Sequence, residues 1–207
     1  MASSAPTRAD GTGQRERVFA EAMRSIAELG PERTTMRVLS ARLGMSPGHI
    51  LYYFGSKDRL LLETLQWSEH DLMRRELAKV ARARSKVAKI RKIVEGYTPR
   101  SSRDPRWLLW AYTYAQPPRD QGGLAALQEI SRPWYDTLWE VLADGVEAGD
   151  FRPLDPEREA LRACALMDGL AMTVLLGVRG YGRDWAIGEA FDYLDGATTK
   201  KGRKAHA

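Results

Sequence analysis

Apolar residues along this chain recur every three or four positions and rarely alternate, a period that fits helices and leaves no convincing strand. Val18, Phe19, Ala22, Met23, Ile26 and Leu29 form one stripe and predict a first helix over about 14–29, stopped by Gly30-Pro31. Thr34 or Thr35 then caps a helix that carries Met36, Leu39 and Leu43 inward. Gly44 ends it, because glycine readily takes the left-handed conformation that closes a helix. Ser46 and Pro47 read as an N-cap and a first-turn proline opening a short helix over about 47–54. Val18, Ile26, Leu39, Leu43, Ile50 and Phe54 supply the core of a three-helix module. After the break at Gly55-Ser56 a long helix runs to about residue 82, with Leu60, Leu61, Thr64, Leu65, Leu72, Leu77 and Val80 on its apolar side. Further helices follow at about 86–97, 105–116, 122–148, 156–179 and 184–195, and Pro133 is expected to kink or split the third of these.

The fold class is therefore all-α, with about nine helices in two parts. A small module at 13–56 precedes a larger domain at 57–196, and the helix at 57–82 joins them mechanically. The tails at 1–12 and 197–207 have loop composition and are expected to be disordered. Such a partition assigns two tasks.

The stretch 34–57, TTMRVLSARLGMSPGHILYYFGSK, points to the first. Its second helix is too short to be stable alone. The outward surface of that helix is Ser, Gly, His and two Tyr rather than a mix of Lys and Glu. A short, firmly held helix with that face suits a DNA major groove, the geometry of a helix-turn-helix.

With those residues in view, the region from about 15 to 65 resembles the tetracycline-repressor (TetR) family of bacterial transcription regulators. The resemblance rests on the Gly30 turn, Thr34-Thr35, Gly44, Ser46-Pro47-Gly48, Tyr52-Tyr53-Phe54 and Ser56-Lys57 followed by Leu60. GVEAGDF at 145–151 and LMDGL at 166–170 look similar to the betaine-type repressor branch. The family often carries Tyr where this chain has Leu51, so one backbone contact is expected to pass to Tyr52 or Tyr53.

The expected partner is a double-stranded DNA operator. Phosphate contacts set position and base contacts set sequence. Lys57, at the amino end of the long helix, joins its charge to the helix dipole and suits a phosphate. Thr35 at the start of the second helix offers a hydroxyl and free amides to a phosphate, Thr34 beside it is a further DNA-contact candidate, and Ser46 caps the recognition helix. Tyr52 and Tyr53 are adjacent, about 100° apart, so both cannot pack inward and at least one is expected on phosphate. For base reading the candidates are Arg37, Pro47, Gly48 and His49. Arg37 can pair with guanine, Gly48 permits close approach, and Pro47 suits a thymine methyl.

Composition then shapes the second part. Six Trp and seven Met are many for 207 residues, and all the Trp lie after residue 65. Aromatic stripes are usually core, but in the family the effector cavity lies among these helices. Trp67, Trp110, Tyr114, Trp134 and Met167 are the pocket candidates, suited to a flat apolar or cationic small molecule. The helices over 156–179 and 184–195 are expected to form a two-fold homodimer interface; the first is rich in Ala, Leu and Met, and Ala165, Asp168, Gly169 and Met172 are its candidate residues. A dimer would set two recognition helices about 34–36 Å apart on a near-palindromic operator.

Net charge of +5 permits an anionic partner without demanding one, and part of it sits in the tail at Lys200, Lys201, Arg203 and Lys204. The lone Cys164 excludes an intrachain disulfide and reads as a buried small hydrophobe in a reducing, cytoplasmic setting. No apolar run approaches the roughly 20 residues of a membrane span. His49, His70 and His206 stand at no metal-ligand spacing, and no cofactor or catalytic constellation is expected. The rival readings are an all-helical enzyme or a ligand-binding dimer that ignores DNA.

Overall fold

A computed structural model describes residues 8–199 of the chain. Among them are nine α-helices and one 3-10 turn, with no strand: α1 Arg8–Leu29, α2 Met36–Leu43, α3 Pro47–Phe54, α4 Lys57–Arg82, α5 Lys86–Tyr97, α6 Pro105–Ala115, α7 Gln121–Glu147, α8 Pro156–Leu176 and α9 Arg183–Thr198. The 3.6-residue period therefore located every helix. Two ends differ from expectation. α1 begins at Arg8, ahead of Gly11 and Gly13, so 8–12 are helical rather than tail. At the other end Ala197 and Thr198 are buried, and their carbonyls accept from the Nε and backbone N of Arg152. The remaining tail positions, 1–7 and 200–207 with the lysine cluster and His206, lie outside the described residues.

α7 is not split at Pro133. The ring removes only one ladder donor, whose acceptor would belong to the exposed Glu129, and Thr137 Oγ1 donates to the Pro133 carbonyl at 2.7 Å. Among the described residues no helix is long and apolar enough to cross a membrane.

The chain packs as two compact units. One takes in the residues up to Ser68 together with Arg103–Leu124; the other takes in Glu69–Ser102 and the residues from Ala125 onward. The packing thus divides α4 in mid-helix rather than at 56/57, and α6, which buries Trp107, Leu109 and Trp110, packs against α1 in the first unit.

The core of the first unit is Val18, Ile26, Leu39, Ile50, Phe54, Leu60 and Leu65, all at most 1% exposed. Met36 and Leu43, expected inside, are only half-buried: they are the first and last residues of α2, which closes at the left-handed Gly44 (φ 65°). In the second unit Leu138, Leu142, Ile93, Val94 and Leu194 centre the core. The GVEAGDF motif closes α7 there. Phe151 N donates to the Gly145 carbonyl at 2.9 Å, and a β-carbon on Gly145 would stand 2.0 Å from the Phe151 ring. Only glycine fits beneath that ring.

Candidate DNA interface and effector site

α3 is built to show one side. Ser46 caps it, its Oγ accepting from His49 N at 3.2 Å, and Pro47 supplies a fixed first turn. Ile50 and Phe54 are fully buried on the inner face. Pro47, Gly48, His49, Leu51 and Tyr52 are left exposed, Tyr52 to 85%. Arg15 of α1 locks the carboxyl end. Its Nη1 donates to the Tyr53 carbonyl at 3.1 Å, its Nη2 pairs with Glu63, and its guanidinium lies 4.7 Å from the Phe54 ring centroid. Arg42 ties α2 to α1 through Glu28 at 2.7 Å and Glu21 at 3.4 Å. Neither arginine is visible as structural from spacing alone, since their partners sit on other helices.

The two tyrosines separate. Tyr53 is half-buried, its hydroxyl donates to Gln14 Oε1 at 3.2 Å, and its ring stacks on His49 at 5.2 Å. Tyr52 keeps its hydroxyl in solvent. The two threonines separate as well. Thr35 is the exposed N-cap of α2, with Oγ1 accepting from Val38 N at 3.2 Å. Thr34 is 1% exposed and its Oγ1 donates to the Gly30 carbonyl at 2.9 Å. Thr34 is therefore corrected from DNA contact to turn-stabilising residue, because its side chain is spent inside. Arg37 is exposed on α2. Lys57 opens α4, and its Nζ donates to the Glu32 carbonyl at 2.6 Å.

The aromatic candidates divide between the two units. In the first, Trp67 is half-buried against Phe19 at 5.9 Å, and Trp110 lies 5.6 Å from Tyr114, which is 53% exposed. In the second, Trp134 and Met167 share one core.

Around Trp134 the second unit holds a group that aromatic content alone did not reveal. Trp134 Nε1 donates to Glu69 Oε2 at 3.2 Å, and Glu69 is 1% exposed. Tyr97 meets the Trp134 ring edge to face at 5.4 Å and donates its hydroxyl to Asp168 at 2.5 Å. Burial holds the Asp168 carboxyl above its ordinary 3.8, against the opposing pull of the Tyr97 hydrogen bond. Glu76, also buried, pairs with Lys79 at 2.7 Å. Gly96 allows the close approach of α5: a β-carbon there would stand 2.9 Å from both Glu76 and Trp134. Two buried carboxylates and a half-buried one beside two electron-rich rings suit an organic cation. A signal existed for two of them, since Glu69 and Glu76 fall on the same stripe of α4 as Leu65, Leu72 and Val80.

On α8, Leu161 (64% exposed), Ala165, Gly169 and Leu176 (77%) form one outward line, with Met172 half-buried beside it. Asp168 is half-buried and faces Tyr97 of its own chain. Cys164 is half-buried rather than buried, and desolvation lifts its thiol to about 12. Among the described residues no group of three or more His, Cys, Asp or Glu could hold a metal.

Comparison with known proteins agrees at both ends of the chain. Residues 18–64 match the bacterial regulatory proteins of the tetR family, and residues 86–198 match the C-terminal domain of BetI-type transcriptional repressors. The HTH-type transcriptional regulator BetI 1 of Chromohalobacter salexigens is 28% identical over 195 residues, covering 88% of this chain and 89% of its own. BetI of Agrobacterium fabrum is 29% identical over 183 residues, covering 88% and 86%. A transcriptional regulator from Saccharomonospora viridis, crystallised in complex with choline, superposes with a TM-score of 0.83 at 26% identity, over 92% of this chain and 100% of that one.

Proposed function

The chain belongs to the TetR family of bacterial transcriptional regulators and carries a BetI-type repressor C-terminal domain, and from that premise we propose that it binds a near-palindromic operator as a homodimer and is released by a small organic cation. The observation that carries the DNA half is the outer face of α3. Pro47, Gly48, His49 and Tyr52 are exposed on a helix whose other face is wholly buried and whose end is clamped by Arg15. Arg37 and Pro47–His49 read bases; Tyr52, Thr35 and Lys57 hold phosphate; Ser46 sets the helix by capping it. Leu51 offers methyl contact in place of a hydroxyl. Tyr53 contributes by stacking behind His49, its own hydroxyl being engaged.

The outward line on α8 supports the dimer. Small Ala165 and Gly169 let a symmetry-related helix approach, and two large exposed leucines gain cover. Met172 borders that line. Asp168 belongs instead with the effector group, since its carboxylate is turned to Tyr97.

For the effector, the regulator from Saccharomonospora viridis holds choline. Here Glu69 and Asp168 with Tyr97 and Trp134 supply carboxylates and aromatic faces that suit a quaternary ammonium ion, while Glu76 is already paired with Lys79. Met167 belongs to the same buried core as Trp134. Trp67, Trp110 and Tyr114 belong to the first unit and are left out of this group. Binding can release DNA only if the cation prefers the conformation with misplaced recognition helices, and tens-fold regulation needs about 2–3 kcal/mol of such preference.

Calorimetric titration tests the effector class. Choline should bind, while dimethylbutanol, its uncharged carbon isostere, should bind about ten-fold or more weakly. Glu69→Gln and Trp134→Ala should each weaken choline. Equal affinity for the two ligands, or none for choline, would contradict the cation reading and leave the DNA reading to its own test.

A further inference from the structure

Lys57 is expected to touch phosphate, yet its ammonium is already held from two sides. Nζ donates to the Glu32 carbonyl at 2.6 Å, from the connection between α1 and α2. On another side stands the Tyr112 ring of α6, its centroid 5.9 Å away. The Tyr112 hydroxyl donates in turn to Asp58 Oδ1 at 3.4 Å, on the residue next to Lys57. One aromatic ring from α6 therefore engages both of the first two residues of α4. An ammonium carries three protons; one is spent on Glu32, and the others stay available to a phosphate. Hydrogen bonding to a carboxylate also pushes electron density into the phenol, which strengthens its attraction for a cation.

α6 is well suited to hold that ring in place. It is an 11-residue helix begun by Asp104 and Pro105 and followed by Pro117-Pro118, and it buries Trp107, Leu109 and Trp110.

We infer that Tyr112 is a positioning residue: it holds Lys57 in the attitude that meets phosphate and makes that contact depend on where α6 lies. The inference rests on the reading of Lys57 as a phosphate ligand. It deepens that reading by naming the group that fixes the lysine within the first unit.

The test uses the full-length protein and a duplex that the wild type selects from a random DNA pool. Affinity is measured by fluorescence anisotropy across a salt series for wild type, Lys57→Ala, Tyr112→Leu, Tyr112→Phe and the Lys57→Ala/Tyr112→Leu double variant, with melting temperatures alongside. Leucine keeps apolar bulk at this half-buried site but has no ring face for the cation. Tyr112→Leu should weaken binding about two- to five-fold. It should also lower the salt slope toward that of Lys57→Ala, about one unit below wild type. The double variant should be no weaker than Lys57→Ala, and Tyr112→Phe, which keeps the ring, should stay near wild type. A role confined to packing would lower the melting temperature and leave the salt slope alone. An unchanged slope in Tyr112→Leu, losses that multiply in the double variant, or no effect of Lys57→Ala would overturn the inference while the regulator reading stands. Failure of the wild type to select any duplex, even at low salt, would remove both.

Discussion

Gly48 has nothing within 4 Å of where a β-carbon would stand, and its φ is not in the left-handed range, so the protein's own packing does not require glycine there. On a helix, alanine is the better residue by roughly 0.5–1 kcal/mol. Gly48→Ala should therefore hold or raise the melting temperature yet weaken operator binding about ten-fold, because the added methyl meets the groove wall. A variant that binds as tightly as wild type would mean that α3 does not approach DNA closely. Arg37→Ala should cost about 1–3 kcal/mol at one base pair and relax preference there, whereas Tyr52→Phe should weaken all sequences alike. Binding to a panel of singly altered operators separates the two outcomes. Asp168 gives a pH signature. Its folded pKa is raised by burial, so the native state binds the extra proton between 3.8 and the folded value, and stability falls as pH rises through that window. Asp168→Asn, which keeps an acceptor for Tyr97, should flatten this dependence in thermal melts at several pH values. Sequence alone could not divide Thr34 from Thr35 or Tyr52 from Tyr53. Each pair shares its chemistry, and only the path of the backbone past Gly30 and Gln14 decides which hydroxyl is spent inside.

At the level of elements, periodicity was enough to place every helix, because burial of one stripe is what makes these segments helical. It was weakest at ends, where caps and packing override it: α1 reaches back past two glycines, and α9 runs on to Thr198 because Arg152 ties its last turn down. The proposed effector group was only half legible. Glu69 and Glu76 interrupt an apolar stripe, a pattern open to inspection, but Tyr97 and Asp168 lie 71 positions apart and no local rule joins them. The GVEAGDF turn has a sharp consequence. Gly145→Ala would drive a methyl into the Phe151 ring at 2.0 Å and should cost about 1–3 kcal/mol or more, seen as a lowered midpoint in urea unfolding. An unchanged midpoint would mean that Phe151 does not lie on Gly145 in solution.

For the whole molecule, pattern and composition separated a helix-turn-helix module from a larger helical domain, and the two family matches, at 18–64 and 86–198, fall one in each. The packing adds that α6 belongs with the first unit, which periodicity had no means of revealing. Ala165→Glu places a charge on the outward line of α8 and should yield monomers in light scattering, with folding intact, since Ala165 is exposed in the single chain. Specific operator affinity should fall with it, because two half-sites are then read separately. The most direct test is to footprint the wild-type protein on a duplex it selects from a random pool, with and without choline. Two protected half-sites about one helical turn apart, related by near two-fold symmetry, are expected, with protection lost as choline is added. A single asymmetric footprint, or one that choline leaves untouched at saturating concentration, would contradict the proposed function.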